Sequence, residues 1–302
     1  MKYFLFTLSI LLILKGFSQH KIHGLVLDSE TKEPVPYCHI IINHELGTIT
    51  NVKGEFNFTI NLINKNDILV ISNISYCTDT LFLSSLIENQ KTILLTPKFI
   101  SLPEVMVLNS NNKEKKQRKK RYGIYHKKHL YSINSSKGNE LALFIPNKKS
   151  INGIISKLYY YITDKGNPKN PFRIHLYTKD SILQSPKDEI LTKNIFANAK
   201  KGNSWVTIDL TSLNISFPKD GFFISMELLP NGKDNELIVS NGYYHEKDNV
   251  QLGLSFEKKY DEYSWYKNFV TKKWVCDKDT RKGKEITVTG NYMMSCEIIL
   301  SK

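Results

Sequence analysis

The eight histidines are the natural starting point for chemistry in this 302-residue chain. A hydrolytic zinc is commonly held by ligands close in sequence, as His-x-x-Glu or His-Glu-x-x-His. No histidine here has a glutamate three residues on, and His44-Glu45 and His245-Glu246 lack the second histidine. His126-Lys127-Lys128-His129 sits among cations that repel a metal ion. Asp277 to Gly283 resembles a calcium loop, but Arg281 stands where a third acid is needed and the glycine falls one place late. No Gly-x-Ser-x-Gly elbow or phosphate loop occurs. Carboxylates that cleave glycosides meet only in three dimensions. Glu227, Glu257 and Asp261, on or beside strands, therefore stay open as an acid/base pair, against the reading that they are exposed strand charges. The expectation is a chain with no catalytic residue, no metal site and no cofactor.

Aromatic side chains offer a second chemistry, because flat rings stack on the C–H faces of sugars. Tyr159-Tyr160-Tyr161, Tyr243-Tyr244 and Tyr260 to Tyr266 are dense. Trp205 precedes an alternating run and Trp274 stands beside Cys276, so both read as packing residues. Trp265 lies among polar, turn-prone neighbours. It is the expected exposed ring, with Tyr263 or Tyr266 completing a ligand-binding platform.

The elements that would carry these residues are strands. Ile22, Gly24 and Val26 share a face, as do Cys38, Ile40 and Ile42, and Phe56, Phe58 and Ile60. Leu69 to Ile71 and Ile93 to Leu95 complete a first set, with a tight turn expected at Thr50 to Gly54. Later, Phe172, Ile174 and Leu176 alternate with Arg173, His175 and Tyr177, and Phe222, Ile224 and Met226 alternate with Phe223, Ser225 and Glu227. No long stretch has helical period. The fold class is all-β, with a second antiparallel sandwich of jelly-roll type over residues 139–302. The four cysteines lack CxxC spacing; buried small hydrophobes are the default reading, and bridges Cys38–Cys77 and Cys276–Cys296 the alternative.

The stretch from Lys21 to Val107 resembles the carboxypeptidase-regulatory-like domain, a small transthyretin-like sandwich common in exported proteins of Bacteroidetes. The resemblance rests on Ile22-x-Gly24-x-Val26, the Pro34 to Tyr37 turn, Gly47-Thr48, Gly54-x-Phe56 and Ile74-Ser75-Tyr76, where the family usually has Ile-Gly-Tyr. It implies a sandwich over 19–97 and a non-catalytic accessory role, since in true carboxypeptidases this domain only accompanies the enzyme. Leu102 to Val107 also resembles the segment that follows the domain in TonB-dependent transporters, whose plug and barrel this chain is too short to hold.

The formal charge of +13 is uneven. Lys113, Lys115, Lys116, Arg118, Lys119, Lys120 and Arg121 face only Glu114, so residues 98–138 read as a basic, solvated linker. Nucleic acid is not an expected partner of an exported chain; an anionic envelope surface is the alternative to a plain spacer. Export itself is read from Lys2, the apolar run Tyr3 to Leu14 and Gly16-x-Ser18, a signal peptide over 1–18. Lys15 ends that run short of the roughly 20 apolar residues a membrane span needs, so no transmembrane span is expected after cleavage. The combined expectation is a non-enzymatic envelope or surface accessory, in the periplasm, on the outer membrane or on the cell surface, meeting an envelope protein or a glycan. Mass spectrometry of the exported protein should find Gln19 as its first residue; retention of Lys2 to Leu14 would make the segment an anchor.

Overall fold

The computed structural model describes residues 20–60, 64, 66–88, 92–98, 118–125, 131–230, 238–239, 248–256, 264–276 and 290–301. Two β-sandwiches account for them. In the first, β1 (His20–Asp28) pairs antiparallel with β4 (Glu55–Ile60) and parallel with β7 (Thr92–Leu95). The facing sheet runs β3 (Leu46–Ile49), β2 (His39–Ile42), β5 (Ile68–Ser72), β6 (Asp79–Phe82), followed by one short helix, α1 (Leu83–Glu88). The period-two faces close into its core: Ile22, Val26, Cys38, Ile40, Ile42, Phe56, Phe58, Leu69, Ile71, Ile93 and Leu95 are all buried together. The expected turn is present. Asn51 Oδ1 accepts the amides of Lys53 and Glu55 at 2.9 and 3.0 Å, and Gly54 takes φ +73°, a conformation that costs a side-chain-bearing residue.

The second sandwich is two antiparallel sheets around one core. One sheet runs β13 (Pro186–Glu189), β12 (Phe172–Lys179), β16 (Phe222–Leu228), β10 (Glu140–Ile145), β19 (Ser264–Lys267), β20 (Trp274–Cys276), with β14 (Ile195–Ala197) also on β12. The other runs β21 (Asn291–Tyr292), β18 (Val250–Ser255), β11 (Gly153–Gly166), β22 (Met294–Leu300), β8 (Lys119–Gly123), with β15 (Ser204–Asp209) on β11 and β9 (Tyr131–Ile133) on β18. Leu141, Leu143, Leu158, Tyr160, Ile162, Phe172, Ile174, Phe222, Ile224, Met226, Cys296 and Ile298 meet between them.

Two sequence readings need correction. The stretch 98–138 is not all linker, because β8 and β9 lie within it and pair with β22 and β18 of the second sandwich. The basic run therefore ends in an edge strand. Lysine and arginine suit that position, since a charged edge resists pairing with another chain. The cysteines form neither proposed bridge: none of the four is in a disulfide, and Cys38 and Cys296 are buried, Cys276 partly so, and Cys77 exposed, against the expectation that all are core.

The two sandwiches are packed together. β17 (Ile238–Val239), from the long connection between β16 and β18, pairs with β3 and extends the first module's sheet. Tyr37, Ile41 and Ile49 of the first module bury against Leu229, Phe269 and Val270 of the second. Ile74 packs on the second core, and Asn194 donates through Nδ2 to Asn73 Oδ1 at 2.8 Å and to Ser75 Oγ at 3.1 Å. Ser75, the departure from the family's glycine, thus supplies a contact between modules.

Candidate functional site: a buried charge cluster between the two sandwiches

The strand registers lay out the outer face of the β12–β16–β10–β19–β20 sheet as rows. One row reads Phe196, Arg173, Glu227, Glu140, Lys267, Trp274. The next reads His175, Ser225, Ala142, Trp265, Cys276, and the third Tyr177, Phe223, Phe144. The alternation of β12 and β16 marks these as the solvent side. Yet Glu227 and Ser225 are 0% exposed, Arg173 and Glu140 1%. The first module lies over the charged end of this face, so both faces of the sheet are buried there.

Glu227 is where the modules meet. Its Oε1 accepts from His39 Nε2 of the first module at 2.5 Å. Its Oε2 accepts from His175 Nε2 at 2.9 Å and lies 3.2 Å from Arg173 Nη1. Arg173 Nη2 reaches across to the carbonyl of Tyr37. His175 Nδ1 pairs with Glu189 Oε2 at 2.6 Å. Lys272 Nζ meets His39 Nδ1. Beside them, Glu140 takes Lys267 Nζ at 2.7 Å, Tyr177 Oη at 2.8 Å and Ser225 Oγ at 3.1 Å. The reading of Glu227 as an exposed strand charge is therefore overturned: it is the most enclosed acid on that face. Glu257 and Asp261 lie outside the described residues, as do His126, His129 and the Asp277–Gly283 loop.

Protonation follows from the partners. Burial disfavours any charge. For His39 it combines with the neighbouring Lys272 to push the ring down to about 4, so His39 is neutral, accepts at Nδ1 and donates at Nε2. Burial would also depress His175, but Glu140 and Glu189 outweigh it and raise the ring to about 10; both its nitrogens donate to carboxylates. Burial opposes ionisation of Glu140 and Glu227 too. Lys267 and His175 nevertheless hold Glu140 down to about 2, and Arg173 and His39 hold Glu227 well below the usual carboxylate range. Three carboxylates, counting Glu189, thus face Arg173, His175 and Lys267. Lys272 is the surplus cation, and burial with the repulsion of Lys267 brings its amine down to about 7.

This arrangement suits holding, not turnover. Both oxygens of Glu227 and of Glu140 are occupied by protein donors, and neither acid carries a proton near neutral pH. Among the described residues no group of three or more His, Cys, Asp and Glu is placed to hold a metal ion. A shallow groove of about 470 Å³ lies elsewhere, on the first module along His23, Gly24, Leu25, Glu55, Phe56, Asn57 and Thr92.

The aromatic platform expected from sequence is placed differently. Trp265 is partly buried, with its ring 6.1 Å from Phe223 and near-perpendicular to it. Tyr266, its neighbour in β19, packs against the central core on the other face of the sheet. Successive strand residues point to opposite faces, so Trp265 and Tyr266 share no surface; Tyr263 lies outside the described residues. Trp274, read as packing, joins the Trp265 face and meets Tyr177 edge-on at 5.5 Å. Sequence reasoning passed over His39, Arg173, His175, Glu140, Lys267 and Lys272. The available signal was that Arg173, His175 and Glu227 occupy the polar phase of two strongly apolar strands.

The pH dependence of stability follows from these shifts. His39 titrates lower in the folded chain than its ordinary 6.5, so its contribution is complete above about 6.5 and is lost as pH falls toward 4. Glu140 acts in the same direction between 4.5 and about 2. His175, raised to about 10, stabilises fully below 6.5 and loses that as pH rises through 10. Lys272, lowered to about 7, acts oppositely over 7 to 10.5 and offsets His175. Urea denaturation across pH should show a steep acid limb and a nearly level stretch from 7 to 10. One differential proton is worth about 1.4 kcal/mol per pH unit, and His39→Gln should remove about that slope between pH 4 and 6.5.

No curated protein matches the chain. Among solved structures, the cysteine protease and lectin-like domains of Cwp84, a surface layer associated protein of Clostridium difficile, match at 10% identity over 63% of this chain and 37% of that one, with a TM-score of 0.43. The chain thus spans under two fifths of that relative's length. A structure of carbohydrate-binding modules from the β-sandwich superfamily matches at 9% identity over 78% and 96%, TM-score 0.22. The Gt strain of infectious bursal disease virus matches at 10% over 94% and 60%, TM-score 0.25. Scores this low carry no inference about ligand or activity. Residues 22–107, the first module and the segment after it, match the family model of the CarboxypepD_reg-like domain, the family their motifs resemble.

Proposed function

We propose that this chain is an exported, non-enzymatic accessory of the cell envelope or surface, in which the regulatory-like module is a fixed buttress for the second sandwich and the second sandwich meets the partner. The observation that carries this reading is Glu227, a fully buried carboxylate whose donors come from both modules. An acid that serves a reaction needs a free oxygen, access for substrate and a proton exchanged near working pH. Glu227 has its oxygens bonded, no exposure and a strongly depressed proton affinity. What it does have is cost on removal of a partner: breaking a buried ion pair from one side destabilises by about 3–5 kcal/mol. That favours the docked arrangement, because moving the first module would take His39 and the Tyr37 carbonyl away from these groups.

The reading is tested by unfolding Glu227→Gln and the parent side by side. The parent should unfold in one transition. The variant should lose about 3–5 kcal/mol or split into two transitions, as the first module comes free. An unchanged single transition at an unchanged midpoint would sink the buttress. A hydrolytic activity of the parent that Glu227→Gln abolishes would sink the non-enzymatic reading.

A further inference from the structure

The outer face of the other sheet of the second sandwich carries a guanidinium that has no carboxylate within ion-pair distance among the described residues, although Glu297 acts on it from the neighbouring strand. Arg121, on edge strand β8, lies across the sheet with Cζ 4.0 Å from the ring centroid of Tyr159, 4.9 Å from Trp205 and 5.4 Å from Tyr125. Its Nε and Nη2 both donate to Ser295 Oγ, at 3.0 and 2.9 Å. Its nearest acid by strand register, Glu297, is taken by Lys119 at 3.4 Å and Ser156 Oγ at 3.0 Å, and no described carboxylate pairs with Arg121. The side chain is partly buried, and that burial already disfavours its charge. A half-desolvated arginine held flat among three aromatic rings, with Nη1 bonded to none of the described residues, is arranged for an anion arriving from solvent.

The rings say what kind of anion. Tyr125 is 42% exposed and Tyr159 and Trp205 are partly exposed, while Tyr161 is buried and supports Trp205, which packs against it at 5.3 Å, tilted 67°. Aromatic faces open on a sheet surface suit a flat, hydroxylated ring better than an apolar side chain, which would want an enclosed pocket. The charges around them argue against a polyanion track: along the register the row runs Arg121, Glu297, Lys157, Asp209, alternating in sign. Only one point on the face asks for a negative group. Arg118, just before the same edge strand, and Lys119 and Lys120 on it, all exposed, add long-range attraction for an acidic ligand.

We propose that this face, built on Arg121 with Tyr125, Tyr159 and Trp205, binds a glycan whose sugar ring carries an acidic group, the acid on Arg121 and the ring on the aromatic faces. The proposal rests on the reading of the second sandwich as the recognising module, and it moves the site from the Trp265 face to the opposite sheet. A carboxylated and a phosphorylated sugar offer the same chemistry, so both are used as probes. Calorimetric titration of the full mature chain with tri-galacturonate and with mannose 6-phosphate should detect binding of at least one, and whichever binds names the acid. The neutral galactotriose should bind at least tenfold more weakly. Arg121→Gln and Trp205→Ala should each weaken binding at least tenfold, and raising salt from 50 to 500 mM should weaken it further. Arg121→Lys keeps the charge but loses the planar stack and the fork; it should fold like the parent and still lose binding, which keeps the test usable if Arg121→Gln unfolds. Equal binding of galactotriose, binding unmoved by either Arg121 variant, tighter binding of a single-stranded oligonucleotide, or no binding of either acidic probe would each overturn the site. The last outcome leaves the buttress standing, because its own test is the unfolding of Glu227→Gln.

Discussion

A carboxylate with no access to water, Glu227, sets the terms for the rest of this molecule. Removing an ionised group from solvent is expensive, and attraction to one partner rarely compensates. Glu227 is tolerated because His39, His175 and Arg173 converge on its two oxygens, and each of these is itself bonded onward, to Lys272, Glu189 and the Tyr37 carbonyl. The donors come from β2 of one sandwich and β12 of the other. The acid can therefore be satisfied only when both modules are folded and docked in this one way. Apolar contact alone, such as Ile41 and Ile49 against Phe269 and Val270, would hold the modules together but would tolerate sliding.

Smaller features agree with that constraint. Gly47 and Gly138 bring the two backbones close to the Phe269 ring; a Cβ at either would fall within 2.6 Å of a ring carbon. Ser75 replaces the glycine usual in the family, and its hydroxyl meets Asn194 of the second module. β17 covers the open edge of β3, which in an isolated domain would present unpaired backbone groups. Each of these features lies at the junction rather than in the first module's own core. That core is built from the alternating apolar residues that carry the family resemblance.

This also explains which parts of the structure were legible in the sequence. Period-two alternation and turn residues such as Asn51 and Gly54 are local signals, and they located the strands and the all-β class. Alternation reports which side of a strand is apolar, but not whether the other side meets water. Arg173, His175 and Glu227 look like solvent-facing residues because nothing near them in sequence announces the module that covers them; His39 is 188 residues from Glu227. The basic run misled for a similar reason. A block of lysine and arginine fits a solvated tether and a charged edge strand equally well, and only the pairing of β8 with β22 decides between them. Trp265 and Tyr266 were grouped by adjacency, which in a strand places side chains on opposite faces.

The two sheets of the second sandwich end up with different work, and charge shows the division. On the β12–β16–β10 face every buried acid has its cations, and every buried cation except Lys272 has an acid or a carbonyl. Even Lys272 is relieved by its lowered proton affinity. Such a face is closed: apart from Arg173 Nε, its buried side-chain groups have partners within the chain, and a ligand would have to displace one of them to enter. On the β8–β22–β11 face the pairing stops one group short. Glu297 pairs with Lys119 and acts on Arg121 only at longer range, Asp209 accepts from the amide of Thr211, and the direct partners of Arg121 among the described residues are a hydroxyl and three rings. A fold that matches charges so fully at its junction, and leaves one partly buried guanidinium unmatched on its open sheet, separates the surface that holds the molecule together from the surface free to meet something else.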